Sequence, residues 1–335
     1  MRLLVTGGSG FIGSNFIHQS IAKYGQVINL DNLSYGSNPS NLDDIKGSRK
    51  YRFVKGSTWN SKLVLDLTKN IDVVVNFAAE SHVDRSISDP APFVRSNIVG
   101  TFSLLEAARR RDVGIFLQIS TDEVYGDAET RGVESFTEED STLPSNPYAA
   151  TKASAESLAL SYCRTYGLNC IVTRCSNNFG PYQSPEKLVP KTIIRALSNR
   201  KIPLYGGGLQ KRSWIYVLDH VDALNVVIDK GRPGQIYNIS AWGGLANREI
   251  VATVLSALDK PVDLIEAVED RPGHDKRYSV DSSRIRSELG WNPRYDVGKA
   301  VKETVNWYVA NRSWWSRRAT RRMLHPTPWK LKWSK

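Results

Sequence analysis

The chain has 335 residues, of which 41% are hydrophobic and 24% charged, the composition of a globular protein with one large domain or two coupled ones. Its three cysteines, Cys163, Cys170 and Cys175, do not fit a disulfide scaffold or a zinc site, and no apolar run approaches the ~20 residues that span a bilayer. The formal net charge of +11 falls to +3 without residues 311–335, which argues against a nucleic-acid-binding body.

The first half of the chain alternates short apolar strands with helical patterns, which predicts a parallel sheet with crossover helices. The predicted strands are Arg2–Thr6, Val27–Leu30, Tyr51–Lys55, Val73–Phe77, Ile115–Ser120 and Asn169–Arg174. The predicted helices are Ile12–Tyr24, a helix from about Pro92 to Arg110, and one from Tyr148 to about Tyr166. We therefore expect a Rossmann-type, doubly wound α/β fold with a smaller α/β lobe.

The second half has a less regular pattern, beginning with the turn-rich stretch Asn177–Pro190. We predict a dinucleotide-binding Rossmann domain over residues 1–176, to which 213–240 return. A substrate-binding lobe is predicted over 177–212 and 241–315, and a basic, tryptophan-containing tail over 316–335. The two lobes are expected to be interwoven in sequence.

A glycine-rich turn lies between the first predicted strand and the first predicted helix, with Gly7, Gly10 and Gly13 in a G-x-x-G-x-x-G spacing. Such glycines let the backbone approach a pyrophosphate at the helix N-terminus. Asp31, at the end of the second strand, is placed to accept hydrogen bonds from the adenosine ribose and to repel a 2′-phosphate. This context favours an NAD site over a purely structural turn, which is the alternative.

Two further groups of residues carry chemistry. Asp122 and Glu123 are adjacent, and two neighbouring carboxyl groups can divide acid and base roles if their pKa values diverge. Tyr148 and Lys152 lie four residues apart on a helix, so the ammonium can stabilise the phenolate. Each group alone also fits an ordinary strand end or an exposed pair. Together, behind a dinucleotide motif, they favour catalysis.

The glycine spacing with Tyr148-x-x-x-Lys152 resembles the extended short-chain dehydrogenase/reductase superfamily. Six further segments resemble the dTDP-glucose 4,6-dehydratase family within it, and the resemblance extends from Met1 to about Trp315. These segments are Asp31–Gly36, Ala78–Ser86, Ser120–Gly126, Arg174–Gln183, Glu186–Leu188 and Asp270–Asp275.

The resemblance implies an NAD-dependent dehydration of a nucleoside-diphosphate-glucose, with dTDP-glucose favoured, to the 4-keto-6-deoxy sugar. Tyr148 would take the C4 hydroxyl proton, Thr121 would orient the C4 oxygen, and Lys152 would hold the nicotinamide ribose and lower the pKa of Tyr148. Glu123 would remove the C5 proton, and protonated Asp122 would give its proton to the departing C6 hydroxyl. A simple dehydrogenase needs no such carboxyl pair.

The same resemblance implies two sets of binding residues, and it implies no metal. The cofactor contacts, besides Tyr148 and Lys152, are Gly7, Gly10, Phe11, Ile12, Gly13, Asp31, Asn32, Leu33, Ser34, Gly36, Ser57, Thr58, Ala78, Ala79, Ser81, Ser96 and Asn178. The nucleotide-sugar contacts are Ser81, Thr121, Asn177, Lys187, Leu188, Pro203, Leu204, Tyr205, Arg212, Asn247, Arg271 and His274. A homodimer, formed by the helices near 92–110 and 148–166, is also implied.

Two positions depart from the family pattern. Gly56-Ser57-Thr58 stands where the family often has Gly-Asp-Ile, whose Asp holds the adenine. Arg212-Ser213-Trp214 stands where the family often has Arg-Asp-Trp, near the expected diphosphate. The choice between thymidine, uridine and another nucleotide therefore stays open at this point.

Two other functions are compatible with parts of the sequence. A nucleotide-sugar 4-epimerase, or another dehydratase of a UDP-sugar, would use the same NAD site. A non-enzymatic NAD-binding module would use the basic tail, with Trp314, Trp315 and Trp329, to contact a polyanion or a membrane surface. We favour a tail that lies over the protein's own surface. Reduced core cysteines and a strand that starts at the N-terminus predict a cytoplasmic protein.

Overall fold

The computed structural model describes residues 1–331, so Lys332 and Lys335 of the basic tail lie outside the described residues. The strands are β1 (Arg2–Thr6), β2 (Gln26–Asp31), β3 (Tyr51–Lys55), β4 (Val73–Asn76), β5 (Ile115–Thr121), β6 (Cys170–Cys175), β7 (Asn177–Phe179), β8 (Ile202–Tyr205), β9 (Lys211–Tyr216), β10 (Ile236–Ile239), β11 (Trp242–Ala246) and β12 (Ile265–Val268). The helices are α1 (Phe11–Lys23), α2 (Ser61–Leu67), α3 (Val83–Ser88), α4 (Ala91–Phe93), α5 (Gly100–Arg110), α6 (Pro147–Tyr166), α7 (Leu188–Leu197), α8 (Val217–Lys230), α9 (Asn247–Ala257), α10 (Ser283–Leu289), α11 (Val297–Ala310) and α12 (Arg312–Ser316).

The central sheet has the strand order β10-β6-β5-β4-β1-β2-β3, and all its neighbouring strands are parallel. Continuous apolar runs such as Leu3–Val5 and Val73–Val75 form its inner strands because a parallel sheet is covered by helices on both faces. The strand order reverses between β1 and β4, where the chain leaves a crevice at the carboxyl edge of the sheet. The loops at this edge carry the residues of the candidate site described below.

Two apolar cores cover the two faces of the central sheet. One core packs α1, α8 and α10 against the sheet, and the other packs α2, α5 and α6. The predicted Rossmann-type α/β fold is therefore confirmed. The six strands predicted in the first half are present within a residue or so of their predicted bounds. The helix predicted from Pro92 to Arg110 consists of α4, π-helical turns over Val94–Val99, and α5.

The smaller lobe contains a three-stranded sheet in the order β11-β9-β7 and a parallel pair of β8 and β12. Its core joins α7, α9 and α11, with Phe179 and Trp214 buried among them. The predicted return of 213–240 to the central sheet is made by α8, which packs against α1, and by β10, which pairs with β6. Residues 213–216 differ from the prediction because β9 pairs with β7 and β11 in the small sheet.

The described part of the tail lies over the protein's own surface. The indole Nε1 of Trp314 donates to Asn41 Oδ1 at 2.9 Å, and that of Trp315 donates to the Tyr308 carbonyl at 2.7 Å. Leu324 is buried in the core of the smaller lobe. Within residues 1–331, the structure contains no helix whose length and apolarity would let it cross a membrane.

Candidate active site

An open cleft follows the carboxyl edge of the central sheet and is lined by the loops after its strands. All five predicted catalytic residues line it: Thr121, Asp122, Glu123, Tyr148 and Lys152. The predicted cofactor residues in its lining are Gly7, Gly10, Phe11, Ile12, Gly13, Asp31, Asn32, Ser34, Gly36, Thr58, Ala78, Ala79, Ser81, Ser96 and Asn178. The topology thus brings together residues from distant parts of the sequence.

The glycine-rich turn leaves room for a ligand at the start of α1. Gly7 has a φ of +69°, and a Cβ there would lie 2.7 Å from the Ala78 amide nitrogen. A Cβ on Gly13 would lie 2.5 Å from the Gly7 carbonyl oxygen, so α1 packs closely on the turn because this residue is glycine. The first turn of α1 contains no acidic residue, and Gly10 offers no side-chain cap. These features fit a pyrophosphate at the helix N-terminus.

Asp31 ends β2 as a buried carboxylate. Its Oδ1 accepts hydrogen bonds from the Leu33 amide at 2.8 Å and the Ser37 hydroxyl at 2.7 Å, and its Oδ2 accepts one from the Ser9 amide at 3.0 Å. Burial raises its pKa, while these three donors favour the carboxylate. The arrangement holds an acceptor rigidly beside the glycine-rich turn, which fits a ribose diol.

Leu33 and Ser57 do not line the cleft, although both were predicted to contact the cofactor. Leu33 has a φ of +57° and turns its amide toward Asp31. At the same end of the cleft lies Trp59, which the sequence interpretation missed, with the Arg95 guanidinium 5.0 Å from its ring centroid. The only sequence signal for Trp59 is its place directly after the departure Gly56-Ser57-Thr58.

Local structure aims the carboxyl pair and the tyrosine at one another. Thr121 ends β5, and its Oγ1 accepts a hydrogen bond from the Glu123 amide at 3.3 Å, capping the short helical turn Asp122–Tyr125. The helix α6 is capped by Asn146, whose Oδ1 accepts from the Ala149 amide at 3.0 Å. Tyr148 lies in its first turn and hydrogen-bonds to the Thr121 side chain.

The two carboxyl groups differ in protonation. Burial, reinforced by the neighbouring Glu123, raises the pKa of Asp122 to about 8. Burial also raises the pKa of Glu123, but Arg271, Lys187 and Arg212 oppose that shift. Since three cations favour the Glu123 carboxylate, Glu123 ionises first and Asp122 keeps its proton at neutral pH. Asp122 Oδ2 and Glu123 Oε2 have no hydrogen-bond partner within residues 1–331.

Tyr148 and Lys152 differ from the predicted pair in one respect. Burial, with the charges of Glu123 and others nearby, raises the pKa of Tyr148 well above its usual value, and the Thr121 hydrogen bond opposes this shift. The Lys152 ammonium donates to the Ile119 carbonyl, and burial lowers its pKa to about 8. The prediction that Lys152 lowers the pKa of Tyr148 is thus not met in the protein alone, because its proton is directed at the backbone of β5.

The predicted nucleotide-sugar residues fall into two groups. Ser81, Thr121, Asn177 and Lys187 line the cleft. The remaining residues lie outside its lining: Leu188, Pro203, Leu204, Tyr205, Arg212, Asn247, Arg271 and His274. A role for this second group in substrate binding remains a prediction.

Packing explains why the second group lies outside the lining. The Arg212 guanidinium donates to the Asp275 carbonyl at 2.8 Å, and Arg271 pairs with Asp84 at 2.8 Å. Leu188 and Leu204 pack into the apolar cores of the smaller lobe. These side chains are held by the protein's own groups next to the cleft.

Glu186 forms a charged wall of the cleft that the sequence interpretation did not assign to the site. Its carboxylate lies 3.2 Å from His82 Nε2 and accepts a hydrogen bond from the Tyr35 hydroxyl at 2.9 Å. Burial opposes its ionised form, but His82 and Lys187 outweigh burial and the pKa of Glu186 falls to about 2. Its carboxylate is therefore ionised throughout the neutral range. The hint in the sequence is that Glu186 belongs to Glu186–Leu188, one of the segments that resemble the family, directly before Lys187.

The chain is similar to several known proteins over most of its length. The family model described as GDP-mannose 4,6 dehydratase matches residues 4–304. A dTDP-glucose 4,6-dehydratase of Streptomyces niveus is 46% identical over 321 residues, covering 94% of this chain and 95% of that protein. The dTDP-glucose 4,6-dehydratase DesIV of Streptomyces venezuelae, solved with NAD bound, superposes with a TM-score of 0.92 at 42% identity, covering 95% of this chain and 99% of that one.

A more distant solved structure has the same fold. The UDP-glucose 4-epimerase of Thermotoga maritima, solved with UDP-glucose, superposes with a TM-score of 0.85 at 28% identity, covering 93% of this chain and all of that one. The dehydratases are therefore closer in sequence than this epimerase. Both the family model and the relatives span nearly the whole chain, including the glycine-rich turn and the carboxyl pair. The chain belongs to the dTDP-glucose 4,6-dehydratase family.

Proposed function

We propose that the protein is an NAD-dependent 4,6-dehydratase of dTDP-glucose, which forms the 4-keto-6-deoxy sugar and releases water. The observation that carries this proposal is the divergence of two adjacent carboxyl groups, with Asp122 protonated and Glu123 facing three cations. An oxidation or an epimerisation at C4 does not need this pair. An elimination of water across C5 and C6 needs both an acid and a base.

The cleft has the features that NAD requires: a glycine cradle, an uncapped helix N-terminus and the Asp31 carboxylate. When bound there, NAD supplies the acceptor for the hydride of C4 and later the donor to C6. The residues proposed to hold it are Gly7, Gly10, Gly13 and Asp31, with Lys152 at the nicotinamide ribose.

Tyr148 is the proposed acceptor of the C4 hydroxyl proton. Its phenol lies beside Thr121, which positions the C4 oxygen, and it shares a helix face with Lys152. Because burial keeps this phenol protonated in the protein alone, it must release its proton to solvent through the open cleft before C4 is oxidised. Oxidation at C4 gives a ketone, which acidifies the hydrogen on C5.

The elimination step belongs to the carboxyl pair. Glu123 removes the C5 proton, the C5–C6 double bond forms, and the C6–O bond breaks. Asp122 donates its proton to the departing hydroxyl, which leaves as water. Return of the hydride to C6 and of a proton to C5 completes a reaction with no net change of oxidation state. Both carboxyl groups line the cleft, as this scheme requires.

Product mass tests this function. The purified protein is incubated with dTDP-glucose, UDP-glucose and GDP-mannose, and each product is weighed. Loss of one water from dTDP-glucose is expected. Turnover without any loss of mass would replace the dehydratase with a 4-epimerase, and loss of water only from another nucleotide sugar would reassign the substrate.

We infer that two copies of the chain form a homodimer through the helices α5 and α6. Val94, Val99 and Phe102 are each more than two-fifths exposed on the α4–α5 helix, an apolar surface that favours burial by a partner. Sedimentation at micromolar concentration is expected to give a dimer, and Phe102→Glu to give a monomer. A monomeric parent protein would contradict this inference.

We also propose a cytoplasmic location. Cys163, Cys170 and Cys175 are free thiols in the described structure, and Cys170 and Cys175 are buried. Free thiols of this kind are typical of a reducing compartment. Cell fractionation of the natural host should recover the protein with cytoplasmic markers; recovery with envelope fractions would contradict the proposal.

A further inference from the structure

The C-terminal strap, defined as residues 323–330, lies beyond the part of the chain that the family model matches. The Arg195 guanidinium donates to the Leu324 carbonyl at 2.6 Å, and the buried Lys191 ammonium donates to the His325 carbonyl at 3.3 Å. Met323 and Leu324 are each less than one-tenth exposed. The strap is therefore fixed to α7, the helix that begins next to Lys187 at the cleft.

The end of the strap meets a row of aromatic rings. Trp329 lies edge-to-face on Tyr205, with ring centroids 4.7 Å apart, and Tyr205 in turn lies 6.3 Å from His274. Lys330 forms an ion pair with Glu269, just before the loop that carries Arg271 and His274. The turn Pro328–Lys330 also packs against α3. One short segment thus touches β8, α3 and this loop.

The charges around Glu123 show where a nucleoside diphosphate can extend. Arg271, Lys187 and Arg212 all act on the Glu123 carboxyl group, on the side of the small lobe. A sugar held against Asp122 and Glu123 would place its diphosphate near these cations, since guanidinium groups match phosphate oxygens. The base would then extend toward Tyr205, on which the Arg271 charge acts.

Contacts of Arg271 connect these cations to the strap. Arg271 pairs with Asp84 of α3 at 2.8 Å, and its Nε has no hydrogen-bond partner within residues 1–331. Burial raises the pKa of the Tyr205 hydroxyl, and the charges of Asp84 and Arg271 both act on it: Asp84 raises the pKa further and Arg271 lowers it. The strap packs on α3 and on Tyr205. It therefore fixes the groups that surround the Arg271 guanidinium, whose Nε is free, within the described residues, to donate a hydrogen bond.

We propose that the C-terminal strap forms the outer wall of the nucleoside end of the substrate site, with Trp329 as a residue that determines binding of the base. This inference rests on the proposed function for the identity of the nucleotide. Aromatic rings bind bases by stacking, and edge-to-face packing from Trp329 fixes the plane of Tyr205. Lys330 holds the loop of His274 through Glu269.

The decisive measurement is a calorimetric titration of the intact, NAD-containing protein with dTDP, which gives the Kd. Trp329→Ala is expected to raise the Kd for dTDP about tenfold, within the range for loss of one aromatic pair, because Tyr205 loses the ring that fixes its plane. Trp329→Phe should restore most of the affinity because it keeps an aromatic ring. The matched control is Arg321→Ala, an exposed residue of the same tail, which should leave the Kd unchanged.

Kinetics separate a binding role from a structural one. With dTDP-glucose, Trp329→Ala should raise KM about tenfold, with kcat within about twofold and with NAD content and Tm unchanged. Lys330→Ala, at an exposed position, should raise KM by about threefold, consistent with loss of one exposed ion pair. An unchanged Kd for dTDP in Trp329→Ala, or equal losses in NAD content and dTDP binding, would overturn the proposal.

Failure of the proposed function gives a different result. If the parent protein turns over no nucleotide-glucose but binds dTDP, the dehydratase function is wrong and the dTDP titration still decides the role of Trp329. If the parent protein dehydrates dTDP-glucose and Trp329→Ala behaves like Arg321→Ala, the function holds and the strap is only a structural element.

Discussion

The two ends of the candidate site are built differently. At the cofactor end, backbone groups of the glycine-rich turn and small side chains line an open cleft, and Asp31 is the main charged group. At the proposed nucleotide end, Arg212, Arg271 and Tyr205 come from separate elements, and they contact the Asp275 carbonyl, Asp84 and Trp329 of the tail, respectively. The carboxyl pair lies between the two ends.

The difference shows two ways in which a protein prepares a binding site. The cofactor end is preorganised by backbone geometry, so little has to change when a ligand with a pyrophosphate arrives. At the nucleotide end, cations that are costly to bury are paired with Asp84 or with backbone carbonyls. A substrate there must exchange some of these contacts for its own. Variants at each end should therefore affect different measured quantities.

The largest expected effect lies between the ends. Glu123→Gln should reduce kcat by about 10²- to 10⁴-fold, the range for loss of a general base, because the neutral amide cannot accept the C5 proton. NAD content should stay at the parent level. The same substitution at the exposed Glu134 is the matched control and should change neither quantity. Turnover within a few-fold of the parent would refute the assigned base.

A change at the cofactor end should act on NAD binding and on stability. Gly7→Ala places a Cβ 2.7 Å from the Ala78 amide nitrogen at a φ of +69°, so the turn must shift. We expect at least a tenfold rise in the Kd for NAD and a Tm lower by several degrees. Gly47→Ala, where a Cβ would meet nothing within 4 Å, is the control. Retained NAD affinity in Gly7→Ala would show that the turn does not hold the pyrophosphate.

The pH profile tests the acid of the carboxyl pair. Asp122 must be protonated to act, and its pKa is about 8, so the slope of log kcat/KM against pH should fall by about one near pH 8, on top of the rise that comes from deprotonation of Tyr148. Lys152, whose pKa is also about 8, loses its charge in the same range and makes the fall steeper. The profile is measured from pH 6 to 10 with dTDP-glucose. A slope that does not fall near pH 8 would contradict the assignment of Asp122 as the acid.

The smallest expected effect is on stability. Because the folded-state pKa of Asp122 is raised from about 4 to about 8, the folded protein binds a proton that the unfolded chain has released, and its stability falls as pH rises through this window. Asp122→Asn removes that cost and should raise Tm by a few degrees at pH 8 and little at pH 4. Asp112→Asn, at an exposed position, serves as control. An Asp122→Asn variant less stable at pH 8 would refute this.

Local sequence patterns were sufficient for the cofactor end and for the fold. The glycine spacing, the acid at a strand end and the continuously apolar strands, which are buried on both faces, are each encoded within a few neighbouring residues. For the same reason the proposed catalytic residues could be predicted: Asp122 and Glu123 follow a strand directly, and Tyr148 and Lys152 share one helix face. The resemblance to a known family then supplied their roles.

Other features depended on contacts between distant segments. Trp59 lines the cleft without any sequence pattern that marks it, and Glu186 lines it although only its segment, and not the residue, was singled out in the sequence. The direction of the Lys152 proton toward Ile119, and the high pKa of Tyr148, follow from burial that only the packed structure creates. The sequence showed that the tail is basic and rich in tryptophan, but not that Trp329 packs on Tyr205.

The sequence by itself therefore determined the Rossmann-type fold, the glycine-rich turn and the choice of proposed reacting groups, because each depends on near neighbours in the chain. The tertiary structure decided which carboxyl group keeps its proton and which residues surround Arg271 and Tyr205. These properties depend on desolvation and on charges from segments more than one hundred residues apart, such as Asp84 and Arg271. Short-range sequence patterns contain no information about contacts between such distant segments.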